Sequence, residues 1–345
     1  MALLFFKEEN MAKFRERFLK GEIPFDDIFD LTDEWNMSDD PIPLREYLGL
    51  TAHEEDIWVE ESDEALEDYM NREKNRRIFF TDLDGTLLRD DKSLSPAMRD
   101  LLRQISAAGN PIVISTGRFT KSAIIQFNNL GIDPEGCYLI TCNGAQVFDI
   151  ERRKFIHETS VGRDMVRALF DEAANYGIHI QTYNMTHVLT EHDTPELQLY
   201  CEIQKLPYIV TDDVTSLLEK DPPKLLAIKN DDHECVLGFY EKVRPMFEDK
   251  LDFFFSNPYY LEIVAKGTCK GEAIRHLCEH LLIPIERSVA AGDAENDISM
   301  IKAAGTGIAM ANGEEAVKAA ADRITKTDNN HDGLLPILKE IFLDS

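Results

Sequence analysis

The chain has 345 residues, enough for two or three domains, and its hydrophobic fraction of 43% and charged fraction of 29% are typical of a globular protein. A formal net charge of -27 repels the phosphates of nucleic acids and anionic lipids, so the composition predicts neither a nucleic acid nor a membrane as a partner. No stretch of the sequence approaches the ~20 apolar residues that a membrane-spanning helix needs.

The start of the chain and its cysteines bear on where the protein works. The apolar stretch from Met1 to Phe6 runs directly into Glu8 and Glu9, without the basic region and the longer apolar core of a signal peptide. The six cysteines form no CxxC pair and no Cys/His cluster, so neither a disulfide framework nor a zinc site is indicated. We therefore expect reduced thiols and a cytoplasmic location.

The first 75 residues form the most acidic part of the chain, with 22 Asp and Glu residues against 8 Lys and Arg residues. Large apolar residues, Trp35 and Trp58 among them, are too frequent there for a solvated acidic tail. Residues 1–75 are therefore predicted to form a small helical segment whose role is open. One hypothesis is that this segment binds a protein partner or a second copy of the chain.

An α/β pattern begins at residue 76. Residues 78–80 form an apolar run that predicts a buried parallel strand. Residues 95–109 begin with a Ser-Pro cap, carry apolar residues at helical spacing and stop at a glycine, which predicts an amphipathic helix. A second apolar strand follows at residues 112–114, so the unit has the length of a right-handed parallel crossover.

The same pattern returns near the end of the chain, with strands predicted at 288–291 and 307–310 and helices at 296–304 and 314–321. Residues 76–157 and 258–345 are therefore predicted to form one α/β core with a doubly wound, mainly parallel, Rossmann-like sheet. The intervening residues 158–257 mix strand-like and helix-like pieces. They are predicted to form an inserted α+β cap domain.

The first predicted strand ends in two carboxylates, Asp82 and Asp84, at the end of a strand where open α/β sheets bind their ligands. In an extended chain the side chains at i and i+2 face the same way, so both acids can address one bound group. Gly85 allows a tight turn and a close approach to a phosphate. An acidic turn without function is the alternative, but the strand before the motif and Thr86 after it favour chemistry.

Residues 292–297 place further acids at the end of another predicted strand. Carboxylates from separate strands in one cleft repel each other unless a hard cation lies between them, and ligands that are all oxygen indicate Mg²⁺. The alternative makes Asp293 or Asn296 a helix cap and Asp297 a favourable first-turn charge. That alternative explains one or two of these residues, but it does not explain their pairing with the first acidic motif.

Two more features suit a phosphate. Thr116 and Gly117 offer a hydroxyl and a backbone N–H at a strand end, although such a pair is by itself usually a turn. Lys270 begins a predicted helix and could place an ammonium on a phosphate or on a nucleophilic carboxylate. A lone lysine at such a position is more often a solvated surface charge.

Four segments in this order resemble the motifs of the haloacid dehalogenase superfamily: DLDGT (82–86), STGR (115–118), the lysine of KGTCKGEA (266–273) and GDAENDISM (292–300). Three further segments resemble its Cof-type phosphatases with a large type IIB cap: TCNGA (141–145), GIAMANGEEAVKAAAD (307–322) and DGL (332–334). The resemblance covers roughly residues 76–345. Departures are small: Thr268 and Cys269 stand where Val-Ser is frequent, and Ala294 stands where Gly is usual.

The resemblance implies a phosphatase that forms an aspartyl-phosphate. Asp82 would attack phosphorus, and Asp84 would protonate the leaving oxygen and then activate water. The phosphoryl oxygens would be held by Thr116, Gly117, Lys270 and Asn296. The cofactor Mg²⁺ would be bound by the carboxylate of Asp82, the backbone carbonyl of Asp84, Asp293 and, behind these, Asp297.

Two alternatives to this function stay open at the level of the sequence. A phosphomutase would use the same nucleophile and return the phosphoryl group to a sugar, and an interaction protein would act through the acidic segment. The resemblance implies a small phosphorylated metabolite as substrate, either a sugar phosphate or a phosphorylated cofactor. The cap sets specificity, and the expected contact residues there are Tyr183, Met185 and His187.

Overall fold

The computed structural model describes residues 13–38 and 41–344 and divides into two compact units. The first unit comprises the residues up to Arg77 together with Cys278–Pro284. The second comprises Ile78–Leu277 and the residues from Ile285 onward. Within the part of the chain that the structure describes, no helix is long and apolar enough to cross a membrane.

The described part of the first unit is helical, as predicted, and its five helices are α1 (Phe14–Leu19), α2 (Asp27–Met37), α3 (Leu44–Leu48), α4 (Ala52–Glu60) and α5 (Asp63–Asn75). Thr51 and Glu54 form a reciprocal capping box at the start of α4, and Ser62 caps α5. The apolar faces of the helices pack into one core. Leu282, from the segment Cys278–Pro284 of the same unit, packs against this core. The acidic segment is therefore a folded unit rather than a solvated tail.

The core of the second unit is built from two stretches of chain. The first contains β1 (Ile78–Thr81), α6 (Pro96–Ala107), β2 (Ile112–Ser115), α7 (Thr120–Leu130), β3 (Cys137–Thr141), β4 (Gln146–Asp149) and β5 (Lys154–Glu158). The cap follows, with α8 (Arg163–Tyr176), β6 (His179–Tyr183), β7 (Val188–Thr190), α9 (Pro195–Gln204), β8 (Tyr208–Val210), β9 (Lys224–Ile228), α10 (His233–Phe247), β10 (Leu251–Asn257) and β11 (Tyr260–Ala265). The second core stretch contains α11 (Lys270–His280), β12 (Ser288–Gly292), α12 (Ile298–Ala303), β13 (Thr306–Ala309), α13 (Glu315–Ala320), β14 (Arg323–Ile324) and α14 (Leu335–Phe342).

The core sheet has eight strands among the described residues, in the order β14-β13-β12-β1-β2-β3-β4-β5. The pairs from β14 to β3 are parallel, and β4 and β5 add an antiparallel edge. This confirms the predicted α/β fold with a mainly parallel sheet. In the register of the central strands, Thr81 of β1 lies opposite both Ala291 of β12 and Ile114 of β2. The segments that follow β1, β2 and β12 therefore emerge side by side at one edge of the sheet.

The cap contains a six-stranded sheet among the described residues, ordered β10-β11-β9-β6-β7-β8. One face carries an apolar core with α8 and α10, and the other packs against α9 and against Phe119, Cys142 and Ala145 of the α/β core. The predicted end of the cap at residue 257 was too early, because β11 pairs with β10 and β9 in this sheet. The turn between β10 and β11 joins a hairpin and does not mark a domain boundary.

Candidate active site

The site lies at the edge of the core sheet where β1, β2 and β12 end. The backbone N–H of Asp82 continues the sheet by donating to Ala291, at 3.0 Å, and the N–H of Thr116 donates to Ile140, at 2.8 Å. These bonds place the first residue after β1 beside the end of β12 and the first residue after β2 beside the end of β3. The structure thus brings together segments that are far apart in the sequence.

Lys270 is the centre of the site. Its ammonium, fully buried, lies 2.6 Å from an oxygen of Asp82, 2.6 Å from an oxygen of Asp297 and 2.9 Å from the carbonyl of Ser115. Burial by itself would lower the pKa of Lys270, but Asp297 and Asp82 outweigh it and hold that pKa above its ordinary value. The lysine is therefore a permanent cation here, not the solvated surface charge that its position in the sequence alone would favour.

Asp293 is held by the turn that follows β1. The hydroxyl of Thr86 donates to its Oδ1 at 2.5 Å. Gly85 has a φ of +86°, and a Cβ there would lie 2.5 Å from Oδ2 of Asp293, so only glycine allows both the turn and this approach. The DGT part of the first motif therefore positions an acid of the last one.

Asp297 has a different role, because both of its oxygens are already bound. Oδ1 accepts from Lys270, and Oδ2 accepts from the backbone N–H groups of Asp293 and Ala294 at 2.9 and 3.1 Å. A carboxylate used in this way supports its neighbours. It orients Lys270 and fixes the loop that carries Asp293.

The acids form a group that fits a hard divalent cation. Asp82, Asp293 and Asp297 each place a carboxylate oxygen within 4.8 Å of the others. Burial raises the pKa of Asp82 to about 8, with Lys270 opposing the rise and the other two acids adding to it. Burial raises the pKa of Asp293 to about 6, against the hydrogen bond from Thr86 and with the help of Asp297. One ammonium does not balance three carboxylates, and a set of oxygen donors with excess negative charge suits Mg²⁺.

Asp84 does not join this group. Its carboxylate accepts from Arg118, at 2.8 and 3.1 Å, and from Lys92, at 2.7 Å. The side chains of Asp82 and Asp84 therefore have different partners in this structure. The reason is local, because β1 ends at Thr81 and the following residues form a turn in which the two-residue alternation of a strand no longer holds.

The electrostatic setting of Asp84 also differs from that of Asp82. Burial alone would raise the pKa of Asp84, but Arg118 and the hydrogen bond from Lys92 outweigh it and lower that pKa below its ordinary value. Arg118 also donates to Gln204 of the cap, at 3.2 Å. Sequence reasoning quoted Arg118 as part of STGR without giving it a role. The sequence signal for a role of Arg118 in the site was its position directly after Thr116 and Gly117.

Asn143 is a site residue that sequence reasoning missed, although it belongs to the quoted TCNGA segment. It has a left-handed φ of 57° and is 2% exposed, and its Oδ1 accepts from Asn296 at 3.0 Å. Its Nδ2 is buried and has no hydrogen-bond partner among residues 13–38 and 41–344. A Cβ on Gly117 would lie 2.9 Å from that Nδ2, so the free amide hydrogens lie next to the predicted phosphate loop.

Two cavities are lined by residues of both the core and the cap. One, of about 220 Å³, is lined by Asn143, Lys270 and Asn296 of the core and by Phe254 and Phe255 of the cap. The other, of about 250 Å³, lies between Phe119 and Gln146 of the core and cap residues that include Tyr183 and Met185. Of the three cap residues expected to meet substrate, Tyr183 is buried and donates its hydroxyl to Tyr200, Met185 is exposed, and His187 does not line either cavity.

The family of haloacid dehalogenase-like hydrolases matches residues 79–338, a range that contains every site residue described above. The chain belongs to this family. It is a hydrolase, and the phosphatases among its relatives assign it to the phosphatase class within the family. The predicted family resemblance is thereby confirmed.

The relatives cover the core and the cap. The chain is 29% identical over 274 residues to 5-amino-6-(5-phospho-D-ribitylamino)uracil phosphatase YitU of Bacillus subtilis, with 76% of this chain and 96% of that protein aligned. It is 30% identical over 266 residues to pyridoxal phosphate phosphatase YbhA of Escherichia coli, with 75% and 96% aligned. A solved haloacid dehalogenase-like hydrolase from Bacteroides thetaiotaomicron is similar with a TM-score of 0.72 and 30% identity, covering 78% of this chain and 100% of that one.

Proposed function

We propose that the protein is a magnesium-dependent phosphatase that hydrolyses a small phosphorylated metabolite through an aspartyl-phosphate on Asp82. The observation that carries this proposal is the contact of Asp82 with the buried ammonium of Lys270, at 2.6 Å, beside the carboxylates of Asp293 and Asp297. An anionic nucleophile approaches an anionic phosphate only where positive charge compensates both. The site has one such charge in Lys270 and a set of oxygen donors for another.

In the first step, an oxygen of Asp82 attacks phosphorus, the bond between phosphorus and the leaving oxygen breaks, and a proton goes from Asp84 to that oxygen. Arg118 and Lys92 favour the ionised form of Asp84, so this acid must gain its proton when the negative charge of the substrate arrives beside it. In the second step, water attacks phosphorus, ionised Asp84 accepts its proton, and the bond between phosphorus and the Asp82 oxygen breaks, which releases phosphate and restores the Asp82 carboxylate. The two cations favour that second role directly.

The phosphoryl oxygens face a set of neutral donors. Thr116 supplies a hydroxyl, Gly117 a backbone N–H and Asn296 an amide, as expected from the sequence. We add Nδ2 of Asn143, which has no hydrogen-bond partner within the described part of the chain, to this set. Lys270 acts differently from the expectation, because its three hydrogens are already bound to Asp82, Asp297 and the carbonyl of Ser115, so in this arrangement its contribution to phosphate is mainly its charge.

Mg²⁺ would be held by the carboxylates of Asp82 and Asp293 and by the backbone carbonyl of Asp84. Asp297 would remain behind these ligands, since Lys270 and two backbone N–H groups occupy its oxygens. When bound, the cation supplies positive charge that offsets the phosphate and the nucleophile. The raised pKa values of Asp82 and Asp293 support this assignment, since burial and the neighbouring acids outweigh the charge of Lys270 at both groups.

The relatives and the cavities support a substrate class. YitU and YbhA are named for a ribitylaminouracil phosphate and for pyridoxal phosphate. We propose that this chain likewise acts on a sugar phosphate or a phosphorylated cofactor. Its phosphate would bind beside Lys270 and Asn296, and its leaving group would be enclosed by the cap, where Phe254 and Phe255 line the cavity of about 220 Å³.

A panel of phosphate monoesters tests the proposal. The protein is assayed for free phosphate with Mg²⁺ present and with the metal chelated, next to Asp82→Asn, which keeps the shape of the side chain and removes the nucleophile. We expect phosphate release that requires the metal and disappears in the variant. Retention of most of the wild-type kcat by Asp82→Asn would contradict the covalent mechanism, and conversion of a sugar phosphate into an isomer with little free phosphate would identify a mutase.

A further inference from the structure

The cap contains a buried ammonium that the proposed mechanism does not use. Lys224 of β9 is 1% exposed, and its Nζ lies 2.8 Å from Oε2 of Glu262 on β11. The same Nζ lies 2.9 Å from the backbone carbonyl of Gly117 in the core and 5.3 Å from the ring centre of Tyr183. The ammonium therefore has partners in both the cap and the core, and the core partner belongs to the predicted phosphate loop.

The carbonyls of the phosphate loop show a pattern. Those of Thr116 and Arg118 accept from core backbone N–H groups, of Asn143 at 3.2 Å and of Cys142 at 3.0 Å. The carbonyl between them, that of Gly117, accepts from the cap lysine at 2.9 Å. The core thus holds two of three successive peptides, and the cap holds the third.

The third peptide is connected to the phosphate-binding groups. The N–H of Arg118, in the same peptide unit as the Gly117 carbonyl, donates to the hydroxyl oxygen of Thr116 at 3.2 Å. An ammonium on the carbonyl polarises the peptide and strengthens that donation. The Thr116 hydroxyl then has its acceptor side occupied and its own hydrogen free for a phosphoryl oxygen.

A buried ion pair is not explained by stability alone. Replacing such a pair with neutral groups of similar volume is often neutral or even stabilising, because two charges must be desolvated to form it. Burial would lower the pKa of Lys224, but Glu262 outweighs that effect and keeps the lysine charged. Lys224 therefore carries a positive charge at the Gly117 carbonyl, although burying that charge costs desolvation free energy.

We propose that Lys224 is a positioning residue for phosphate binding: from the cap, its ammonium holds the Gly117 carbonyl and, through the Arg118 N–H of the same peptide, orients the Thr116 hydroxyl toward the phosphoryl group. The inference rests on the proposed function, since it takes residues 115–118 as the phosphate loop. Its consequence is that the phosphate site is complete only while the cap sheet lies against the core.

Inorganic phosphate is the probe that tests this, because it has no leaving group for the cap to contact. Its inhibition constant is measured with Mg²⁺ against the best substrate, and its binding is measured by calorimetry. The main variant is Lys224→Met with Glu262→Gln, which removes both charges and leaves none unpaired. We expect the inhibition constant to rise about tenfold or more, equivalent to about 1.4 kcal/mol, with a fall in kcat.

Lys242→Met is the matched control. Lys242 is a cap lysine paired with Glu172, at 2.7 Å, on the helices of the cap. We expect this variant to keep the inhibition constant for phosphate within about twofold of the wild type. If the main variant does not fold, as judged by circular dichroism and a thermal melt, Lys224→Gln with Glu262→Gln keeps hydrogen-bonding groups at both positions, and the same rise is expected.

The outcomes separate this inference from the proposed function. A folded variant without the Lys224 charge that binds phosphate like the wild type overturns the inference and leaves the phosphatase intact. A change confined to the KM of the substrate, with unchanged phosphate inhibition, makes Lys224 a leaving-group contact and also overturns it. If the wild type neither hydrolyses any ester of the panel nor binds phosphate with Mg²⁺, the proposed function fails and the inference fails with it.

Discussion

Asp82 and Asp84 lie two residues apart in the sequence, but their surroundings shift their pKa values in opposite directions. Asp82 is buried among other carboxylates, with its pKa raised to about 8, whereas Arg118 and Lys92 lower the pKa of Asp84. In the protein alone these directions favour the neutral form of Asp82 and the ionised form of Asp84, so the proposed nucleophile needs further positive charge beside it, whereas Asp84 is already suited to act as a base. At the scale of single residues, the structure therefore distinguishes two carboxylates that the motif presents as equivalent.

The first prediction separates these two roles. In Asp84→Asn, Asp82 should still be phosphorylated by a substrate whose leaving group needs no proton, and turnover should then be very slow because water lacks its base. Intact-protein mass spectrometry of the variant with such a substrate measures the phosphoprotein, and Asp82→Asn serves as the unphosphorylated control. Absence of phosphoprotein together with normal steady-state hydrolysis would contradict the assignment.

The second prediction concerns the contact between Gly117 and Asn143. In Gly117→Ala the new Cβ would lie 2.9 Å from Nδ2 and 3.0 Å from Oδ1 of Asn143, so the amide must move away from the site. We expect the inhibition constant for phosphate to rise about tenfold, equivalent to about 1.4 kcal/mol, without loss of folding.

A double-mutant cycle tests the steric cause of that effect. In an Asn143→Ala background the amide is gone, so the substitution at Gly117 should add little to the loss already caused by the first change. Additive effects of the two substitutions would show that the Cβ acts on the loop by another route.

The third prediction concerns the metal. Asp293→Ala removes a proposed ligand, and we expect the half-saturating Mg²⁺ concentration to rise sharply. If Asp293 served only as a helix cap, its loss would cost ~1 kcal/mol of stability and leave the metal requirement unchanged. A Mg²⁺ titration of kcat, with a thermal melt of the metal-free protein, distinguishes the two. A folded variant with an unchanged requirement would exclude Asp293 as a ligand.

At the scale of elements, the active site is assembled by strand ends. The register that places Thr81 opposite Ala291 and Ile114 brings three loops to one edge, and the left-handed turn after β3 adds Asn143. The apolar runs predicted these strands because buried parallel strands are apolar on both faces. The helix after β12 is less regular than predicted. The segment expected to be helical at 296–304 begins as a 3₁₀ turn, Glu295–Asp297, and continues as α12.

The fourth prediction concerns β6 of the cap. His179 on this strand has its ring nitrogens beside Gln181, at 3.1 Å, and Thr194, at 2.9 Å, and burial lowers its pKa in spite of the bond to Gln181. The unfolded chain therefore binds a proton more readily than the folded one. The contribution of His179 to the free energy of unfolding is full above its ordinary pKa of about 6.5 and is lost as the pH falls below that value.

His179→Gln provides the comparison for this prediction. Denaturant unfolding of wild type and variant is measured between about pH 8 and about pH 5, and the stability of the wild type should fall more steeply toward the acid end. The difference between the two proteins is the relevant quantity, because it cancels the titration of the other groups. Parallel curves for the two proteins would show that His179 does not contribute.

At the scale of the whole molecule, every residue assigned to chemistry lies in the second unit, from Asp82 to Asp297. The first unit has its own apolar core, which includes Leu66 and Met70 of α5 and is packed by Leu282. The segment Cys278–Pro284, which the chain reaches after the cap, belongs to this first unit. The role of the first unit stays open, and its binding of a partner or of a second copy stays a hypothesis.

The fifth prediction is that a protein beginning at Asn71 keeps its metal requirement and its kcat on a small phosphate ester within a few-fold. Removing the earlier helices should uncover Leu282 and the segment around it, so the melting temperature or the oligomeric state should change. Kinetics and light scattering measure both properties. A folded, monodisperse truncated protein that loses more than about a hundredfold in kcat/KM, roughly 2.7 kcal/mol, would place the first unit in catalysis.

The sequence by itself determined the α/β fold and the family, and it named most residues of the candidate site. Strands and helices follow from local apolar periodicity, and Asp82, Thr116, Lys270 and Asp293 stand in motifs whose order is visible along the chain. Lys270 became a central residue once the motifs were considered together. The structure gives the physical reason, since its ammonium meets a carboxylate 188 positions away.

Only the tertiary structure decided which partners these residues have. The pairing of Asp84 with Arg118, the buried free amide of Asn143 and the contact of Lys224 with the loop at Gly117 depend on how separate elements pack. Neither local propensity nor spacing carries that information, because the partners are joined by the register of the sheet and by the position of the cap. A charge or an amide acquires its chemical role from the groups that surround it after burial, and those groups come from distant parts of the chain.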